Sequence, residues 1–500
     1  MKLWYNQRQQ DIPMTLEVKT MDHNMEQRID AWLQEHKDAL IADISRLVKI
    51  RSVSDAQHGT PEAPFGPGCR AALDEMLKIG QEHGFRVKNY DNMVGSLCLT
   101  EGKWEDTIGF WGHLDVVPEG SDWDYEPYSP LYKDGYLIGR GSGDNKGPTV
   151  AVMYVIECLS QLGIQLRHPL KLFVGCDEEK GMSDLEYYTA HYPCPGMSMI
   201  ADCGFPVCYG EKGIIEANLL SGRTVSSAIR SFSGGVASNM VPDTAVAVLN
   251  ASHADADKLM KIGELDGFSA VKDGENITIT AKGVSKHTAF PTGGVNAIRQ
   301  LCVALCESGA LPAGDVELLE FMNQVNQDFA GTGVNIVYSD EVSGALTCVG
   351  SMASLRDGHL VQHLNIRYSI TADSQQLIQN ISESCEAAGW TLDSYVDNKP
   401  NYFPKEHPAV ELLTKIFNDA TGLQKPAYVM GGGTYARKLP HAFAYGMGSV
   451  PGNPAPEGLF RPGHGGAHGP DEGLDINRLL TAMKIYCTAL IELDQLDLTV

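Results

Sequence analysis

The sequence predicts an α/β protein: a doubly wound, mostly parallel sheet built from two stretches of chain, with an α+β domain inserted between them. Three observations carry this. Apolar strand-like runs alternate with helical patterns up to about residue 213, as in βαβ units. From about 214 to 397 the pattern becomes one of period-two strands, a hairpin signal and amphipathic helices, and from about 398 the first character returns. Five hundred residues also exceed one ordinary core, so division is expected. The expected units are a loosely ordered extension (1–24), a first part of the main domain (25–213), the insertion (214–397) and a second part (398–500).

Residues Met25 to Arg51 place Ile29, Leu33, Leu40, Ile44, Leu47 and Val48 at helical spacing, with Asp22 or Asn24 as cap. A Pro/Gly-rich loop, Gly59 to Gly68, leads to a second helix through Ala71, Leu73, Met76, Leu77 and Ile79. Strands follow at Arg86–Tyr90, Gly95–Thr100 and Thr107–Trp111. The glycine-rich turn Gly139 to Pro148 opens a helix whose run Thr149 to Ile164 reads as buried. Next come the strand Leu170–Gly175, ending in Cys176-Asp177-Glu178-Glu179, and the run Met197–Ile200, ending in Asp202. In the insertion, Asp273-Gly274 signals a hairpin before Ile277–Thr280. Helices are expected at Val295–Ser308, Asp315–Asp328 and Asp373–Gly389. The strand Leu364–Ile370 puts Leu364, Ile366, Tyr368 and Ile370 on one face and Asn365, Arg367 and Ser369 on the other. The last portion reads as a helix at Pro408–Asp419, a glycine turn Gly431–Thr434, a loop holding His464 and His468, and a helix from Asp475 to Leu493.

Composition excludes several classes. The balance of 39 basic and 63 acidic residues gives a net charge of -24, which repels phosphate backbones and argues against nucleic acid as a partner. Such a field suits the concentration of divalent cations, although it also simply favours solubility. Twelve cysteines without a C-x-x-C pair do not form a disulfide framework, so reduced thiols and a cytoplasmic home are expected. The first twenty residues lack the apolar run of a signal peptide, and Met14, Met21 and Met25 all stand as alternative starts. The Thr149–Ile164 run contains Glu157 and is too short to span a bilayer, so no membrane partner is expected. The glycine-rich turn meets neither nucleotide-binding glycine pattern, and no G-x-S-x-G elbow is present.

The chemistry gathers at strand ends. His113 and Asp115 follow the apolar run Ile108–Trp111, Glu178 and Glu179 follow another, Asp202 a third, and Asp144 stands at a helix entrance. In open α/β sheets, ligands bind at the carboxyl ends of the strands. Taken singly, each feature reads as well as a cap or a solvated loop. Several carboxylates converging on one sheet edge would repel one another, however, and cations resolve that conflict. Two histidines with three carboxylates suit a pair of zinc-like ions.

The strings HLDVVP, GRGSGDNKGP, CDEE and a distal His468-Gly-Pro-Asp-Glu472 resemble the di-zinc metallopeptidase and amidohydrolase family of acetylornithine deacetylase, succinyl-diaminopimelate desuccinylase, carboxypeptidase G and aminoacylase. The stretches Asp202 to Gly213 and Gly431-Gly-Gly-Thr-Tyr-Ala resemble its PepV-type dipeptidases. The resemblance runs from about residue 25 to the C-terminus. It implies a catalytic α/β domain with an inserted α+β lid domain, and two divalent ions, zinc first, with manganese or cobalt also suited to such a site. It implies His113 and Asp202 as ligands of one ion, Glu179 and His468 of the other, and Asp144 as the bridge. Asp115 would orient His113 from behind. Glu178 would be the general base that takes a proton from the attacking water and hands it to the leaving amine. His468 is preferred to His464 because it carries the family pattern. Asn145 stands where the family often has a second aspartate, and Cys176 reads as packing rather than as a nucleophile.

Within the insertion, the resemblance implies His287, in Gly283-Val-Ser-Lys-His287, as the oxyanion donor and Asn239 as a substrate-holding group. It implies Arg367 as the receiver of the substrate's free carboxylate, for which a planar fork suits better than lysine. Outside the insertion, the glycine turn Gly431–Thr434 either lets its backbone, as at Gly432, and the Thr434 hydroxyl approach the substrate closely or is a turn and no more. The implied activity is hydrolysis of dipeptides, with an N-acyl amino acid amidohydrolase as the alternative. The expected partner is a small peptide, and the expected state is a monomer or a homodimer.

Overall fold

The computed structural model describes residues 23–497. The expected cap Asp22 and residues 1–22 of the expected extension lie outside the described residues. Helix His23–Val48 buries Ile29, Leu33, Leu40, Ile44 and Leu47 along one side. It begins before Asn24, so that residue lies inside the helix rather than capping it.

Among the described residues, nine strands form the first sheet. Its order is Arg86–Tyr90, Val94–Cys98, Leu170–Gly175, Ile108–His113, Met197–Ile200, Ala442–Tyr445, Val207–Glu211 and Asn401–Tyr402, with Tyr428–Met430 also beside Val207–Glu211. The sheet is mixed. Its centre, from Leu170–Gly175 to Ala442–Tyr445, pairs in parallel, as does Tyr428–Met430, whereas both flanks pair antiparallel. The parallel character expected from sequence thus lies mainly at the centre. At one edge the reason is connection length: the Arg86–Cys98 hairpin needs only a tight turn, whereas parallel neighbours need a crossover.

The central strands are buried along their whole length, because helices cover both faces of a doubly wound sheet. Helix Gly147–Gln161 is buried from Gly147 through Leu159, as its continuous apolar run implies. Register then levels the strand ends: His113 lies opposite Gly175, and Trp111 opposite Ile200. The three carboxyl ends therefore open on one edge, with the Ile108–His113 strand between the other two. This is the point at which an open α/β sheet offers a crevice.

Residues 213–398 supply the second sheet, eight antiparallel strands among the described residues, in the order Phe268–Asp273, Asn276–Lys282, Thr244–Asn250, Ile229–Gly234, Thr347–Arg356, His359–Tyr368, Gly213–Ser221 and Trp390–Asn398. It has its own apolar core, closed by helices Ala297–Ser308, Ala313–Val325 and Ser374–Ala387. Asp273 pairs with Asn276 across a two-residue turn in which Gly274 adopts φ 58°, a conformation that favours glycine. Leu364, Ile366 and Tyr368 enter this core, but Asn365 and Arg367 on the opposite face are also buried. That face carries polar groups toward a neighbour rather than toward solvent.

Candidate metal centre and active site

Two imidazoles face each other across Asp144. His113 Nε2 lies 3.1 Å from Asp144 Oδ1 and 3.5 Å from Asp202 Oδ2. His468 Nε2 lies 3.0 Å from Asp144 Oδ2 and 3.0 Å from Glu179 Oε1. One carboxylate thus presents a separate oxygen to each ring, as a bridging ligand would. Donor atoms of His113, Asp144 and Glu179 fall within 4.8 Å of one another, and so do those of His113, Glu178 and Asp202. The five expected ligands and Glu178 therefore converge, although His468 lies 355 positions beyond His113.

Residues behind them hold this arrangement. His113 Nδ1 contacts the Asp115 carbonyl at 3.0 Å, which makes Nδ1 the protonated nitrogen and leaves Nε2 for coordination. The Asp115 carboxylate is 3.4 Å away. Its closer bonds are from the backbone N–H groups of Glu178 (3.2 Å) and Glu179 (3.0 Å). Asp115 therefore fixes the glutamate pair at least as much as the histidine. Asn145 Nδ2 donates to Asp202 Oδ1 at 3.0 Å and to the Ala201 carbonyl at 2.8 Å. A second aspartate there would lack these donors and set charge against charge.

Sequence reading missed Glu472, which it treated only as part of a motif. This buried carboxylate accepts from Arg140 Nη1 (2.6 Å) and from the backbone N–H groups of Gly141, Gly143 and Asp144 (3.1, 2.9 and 3.0 Å). It shapes the turn that presents Asp144. The available signal was its spacing four residues after His468, with no local hint of its partners. His464 sits apart from this cluster, its Nδ1 2.6 Å from Asp471 and its Nε2 3.4 Å from Asp122. Cys176 is buried, its thiol directed to the Cys69 carbonyl at 3.6 Å.

The electrostatics ask for cations. Burial pushes Glu178 well above the ordinary carboxylate range, with the Asp202 charge adding to it. Burial likewise raises Glu179 and Asp202. For Asp144 burial acts in the same sense, but the hydrogen bonds to His113 and His468 prevail and hold it below that range. His468 is raised to about 10 by its bonds to Asp144 and Glu179. Burial disfavours charge on His113, yet Asp202, Asp115 and Asp144 together carry it well above its usual value. The raised imidazoles and the crowded carboxylates thus lean on one another, a balance that divalent ions would strike more strongly. Imidazole nitrogen with carboxylate oxygen is a donor set that fits zinc and its neighbours.

The inserted domain contributes separately. His287 is linked by a β-bridge to Met240, and the neighbouring Thr288 N–H donates to the Asn239 carbonyl at 2.9 Å. The Ala289 N–H donates to His287 Nδ1 at 3.2 Å, so the neutral ring carries its proton on Nε2. Burial and the Arg367 charge hold His287 below its usual value, which keeps it a neutral donor. Arg367 Nε donates to Asn365 Oδ1 at 2.8 Å, and its Nη1 to the Gly431 carbonyl at 3.1 Å. The inserted domain thereby touches the glycine turn of the first. Thr434 differs from expectation. Its hydroxyl and N–H both donate to Glu211 Oε1, at 2.6 and 3.0 Å, because that buried carboxylate requires donors. The hydroxyl is committed inward rather than open to a substrate. The Gly432 carbonyl accepts from Arg437 Nη2 at 3.0 Å.

Residues 109–492 match the family described as Peptidase family M20/M25/M40. A Bacillus subtilis (strain 168) protein named "Putative dipeptidase YtjP" is 32% identical over 468 residues, covering 91% of this chain and 97% of its own length. A Staphylococcus haemolyticus relative, "Putative dipeptidase SH1171", is 30% identical over 477 residues, covering 92% and 98%. Human carnosine dipeptidase 1 superposes with a TM-score of 0.55 at 14% identity, over 94% of this chain and 99% of that one. The di-peptidase Dug1p of Saccharomyces cerevisiae gives 0.54 at 15%, with the same coverage. At these identities the two structures speak to the fold alone. With a family match across most of its length and full-length relatives at 30% identity or more, this chain belongs to peptidase family M20/M25/M40.

Proposed function

We propose that this chain is a metal-dependent dipeptidase working with two divalent ions, zinc first. The observation that carries the reading is Asp144, which turns one oxygen toward each of two imidazoles backed by further carboxylates. His113 and Asp202 would hold one ion and Glu179 and His468 the other, with Asp144 shared between them. When bound, such a pair polarises the scissile carbonyl and makes water more acidic.

The chain's own groups do the rest. Glu178, whose buried carboxylate is held well above the ordinary range, takes a proton from the attacking water and delivers it to the leaving amine. His287, with its proton on Nε2, donates to the developing oxyanion, a contact typically worth about 2.7–4 kcal/mol of barrier. Arg367 receives the terminal carboxylate, with Asn239 as a neighbouring polar contact. Residues 25–213 and 398–500 form the catalytic domain in this reading, and 214–397 the lid whose closure completes the site. All twelve cysteines are free, and no described helix is long and apolar enough to cross a membrane. The free thiols suit a reducing cytoplasm, and the proposed state is a monomer or homodimer.

The test is a hydrolysis screen with metal analysis across dipeptides, tripeptides, and acetyl- and succinyl-amino acids. Dipeptide turnover, lost on chelation and restored by two equivalents of zinc, is expected. Turnover confined to the acylated set would replace the reading with an amidohydrolase. A single equivalent sufficing for full activity would remove the metal pair.

A further inference from the structure

Beneath the glycine turn lies a buried pair that the proposed chemistry does not use. Glu211 closes strand Val207–Glu211, and Arg437 follows the turn. Their side chains are 1% and 3% exposed, with Arg437 Nε 3.4 Å from Glu211 Oε2. Neither of these two atoms makes a hydrogen bond among the described residues. The pair instead spends its other atoms on the turn. Glu211 Oε1 takes both donors of Thr434, while Arg437 Nη2 donates to the carbonyls of Gly432 (3.0 Å) and Lys212 (3.4 Å).

The guanidinium also fills the space a side chain would need. A Cβ added at Gly433 would lie 1.7 Å from Arg437 Nη2. The turn is therefore held from below at consecutive residues. Its upper side meets the inserted domain: the Gly431 carbonyl accepts from Arg367, and a Cβ on Gly431 would come within 2.7 Å of Ala289 Cβ, two residues from His287.

A buried ion pair is weak support for stability, since its desolvation cost rivals its attraction, so its use is sought in what it positions. We propose that Glu211 and Arg437 are positioning residues: they clamp the Gly431–Thr434 turn at the height where Gly431 orients Arg367 toward a substrate carboxylate. The pair thereby sets selectivity for peptides with a free C-terminus. This rests on the reading of Arg367 given above. The clamp works by geometry, through bonds to the backbone of the turn and to the Thr434 hydroxyl.

The test compares a dipeptide with its C-terminal amide in the metal-loaded enzyme. Glu211→Gln combined with Arg437→Met removes both charges together, so neither is left stranded. Gly433→Ala displaces the guanidinium with both charges kept. In each variant kcat/KM for the free-acid dipeptide should fall at least tenfold, mainly through KM, while the amide changes less than threefold. An unchanged acid-to-amide ratio in either folded variant, or equal losses on both substrates, overturns the clamp. If the wild-type enzyme itself does not prefer the free acid, the Arg367 reading fails instead, and the two failures stay distinct.

Discussion

Asparagine at position 115 removes little volume but changes what the buried group can accept. In the wild-type chain the Asp115 carboxylate takes the N–H of Glu178 on one oxygen and that of Glu179 on the other, at 3.2 and 3.0 Å. Asparagine keeps one oxygen and turns an NH2 toward a donor, so one of these bonds is lost whichever way the amide lies. A hydrogen bond to a charged group contributes about 1.5–3 kcal/mol. The position is fully buried, so water does not replace it. Since the lost bond holds the backbone of the proposed ligand Glu179 or of the proposed base Glu178, much of that energy should appear at the site. Its scale matches the roughly 10–100-fold loss in metal affinity or activity usual for partners behind metal ligands. The assay has two arms: competition for zinc against a chromophoric chelator, and kcat on a dipeptide in saturating metal. A reduction of about tenfold or more is expected in at least one arm. Values within twofold of wild type in both would refute the view that Asp115 holds the glutamate pair.

Three further outcomes follow from the same geometry. Glu178→Gln should keep both metals by elemental analysis while kcat falls by about 10²–10⁴-fold, the usual contribution of a positioned proton carrier; full activity would remove it as the base. Glu472→Ala strands the buried Arg140 guanidinium and three backbone donors, so denaturant titration should show a loss of about 3–5 kcal/mol, with weaker metal retention because Asp144 loses its turn. His83 bridges Asp43 and Glu157 at 2.9 and 2.7 Å, and those bonds raise it to about 10. A histidine raised above its unfolded value of about 6.5 contributes fully below that pH and loses the contribution as pH rises through about 10. His83→Gln should therefore be less stable than wild type by about 2 kcal/mol at pH 6, from two charge-assisted bonds partly open to solvent, and the gap should close by pH 10.5. A gap that does not change with pH would show the imidazolium to be irrelevant.

Much of the site was readable because its chemistry is local in sequence. His113 and Asp115 are two apart, Glu178 and Glu179 are adjacent, and each set follows a continuous apolar run of strand length. The pairing His468-Gly-Pro-Asp-Glu472 marked His468 rather than His464 as the candidate distant ligand, and the structure puts the two histidines in different networks. The functions of Glu472, Asn145 and Glu211 were not readable. Each is an ordinary polar residue along the chain, and each acts on backbone or side chains brought to it only by folding. Thr434 shows the converse: its sequence suggested an open hydroxyl, and a buried carboxylate 223 residues away claimed it.

By itself the sequence determined the alternation of strands and helices, the inserted α+β segment, and a set of candidate metal-binding side chains, because periodicity, residue chemistry and family motifs are properties of short windows. Tertiary structure alone decided that the sheet is parallel at its centre and antiparallel at its flanks, and that His113 lies level with Gly175. It also decided that Asp144 faces two rings at once and that Arg367 reaches a glycine turn of the other domain. Those are matters of register and of contacts across hundreds of residues, where a shift of one position moves a side chain to the opposite face.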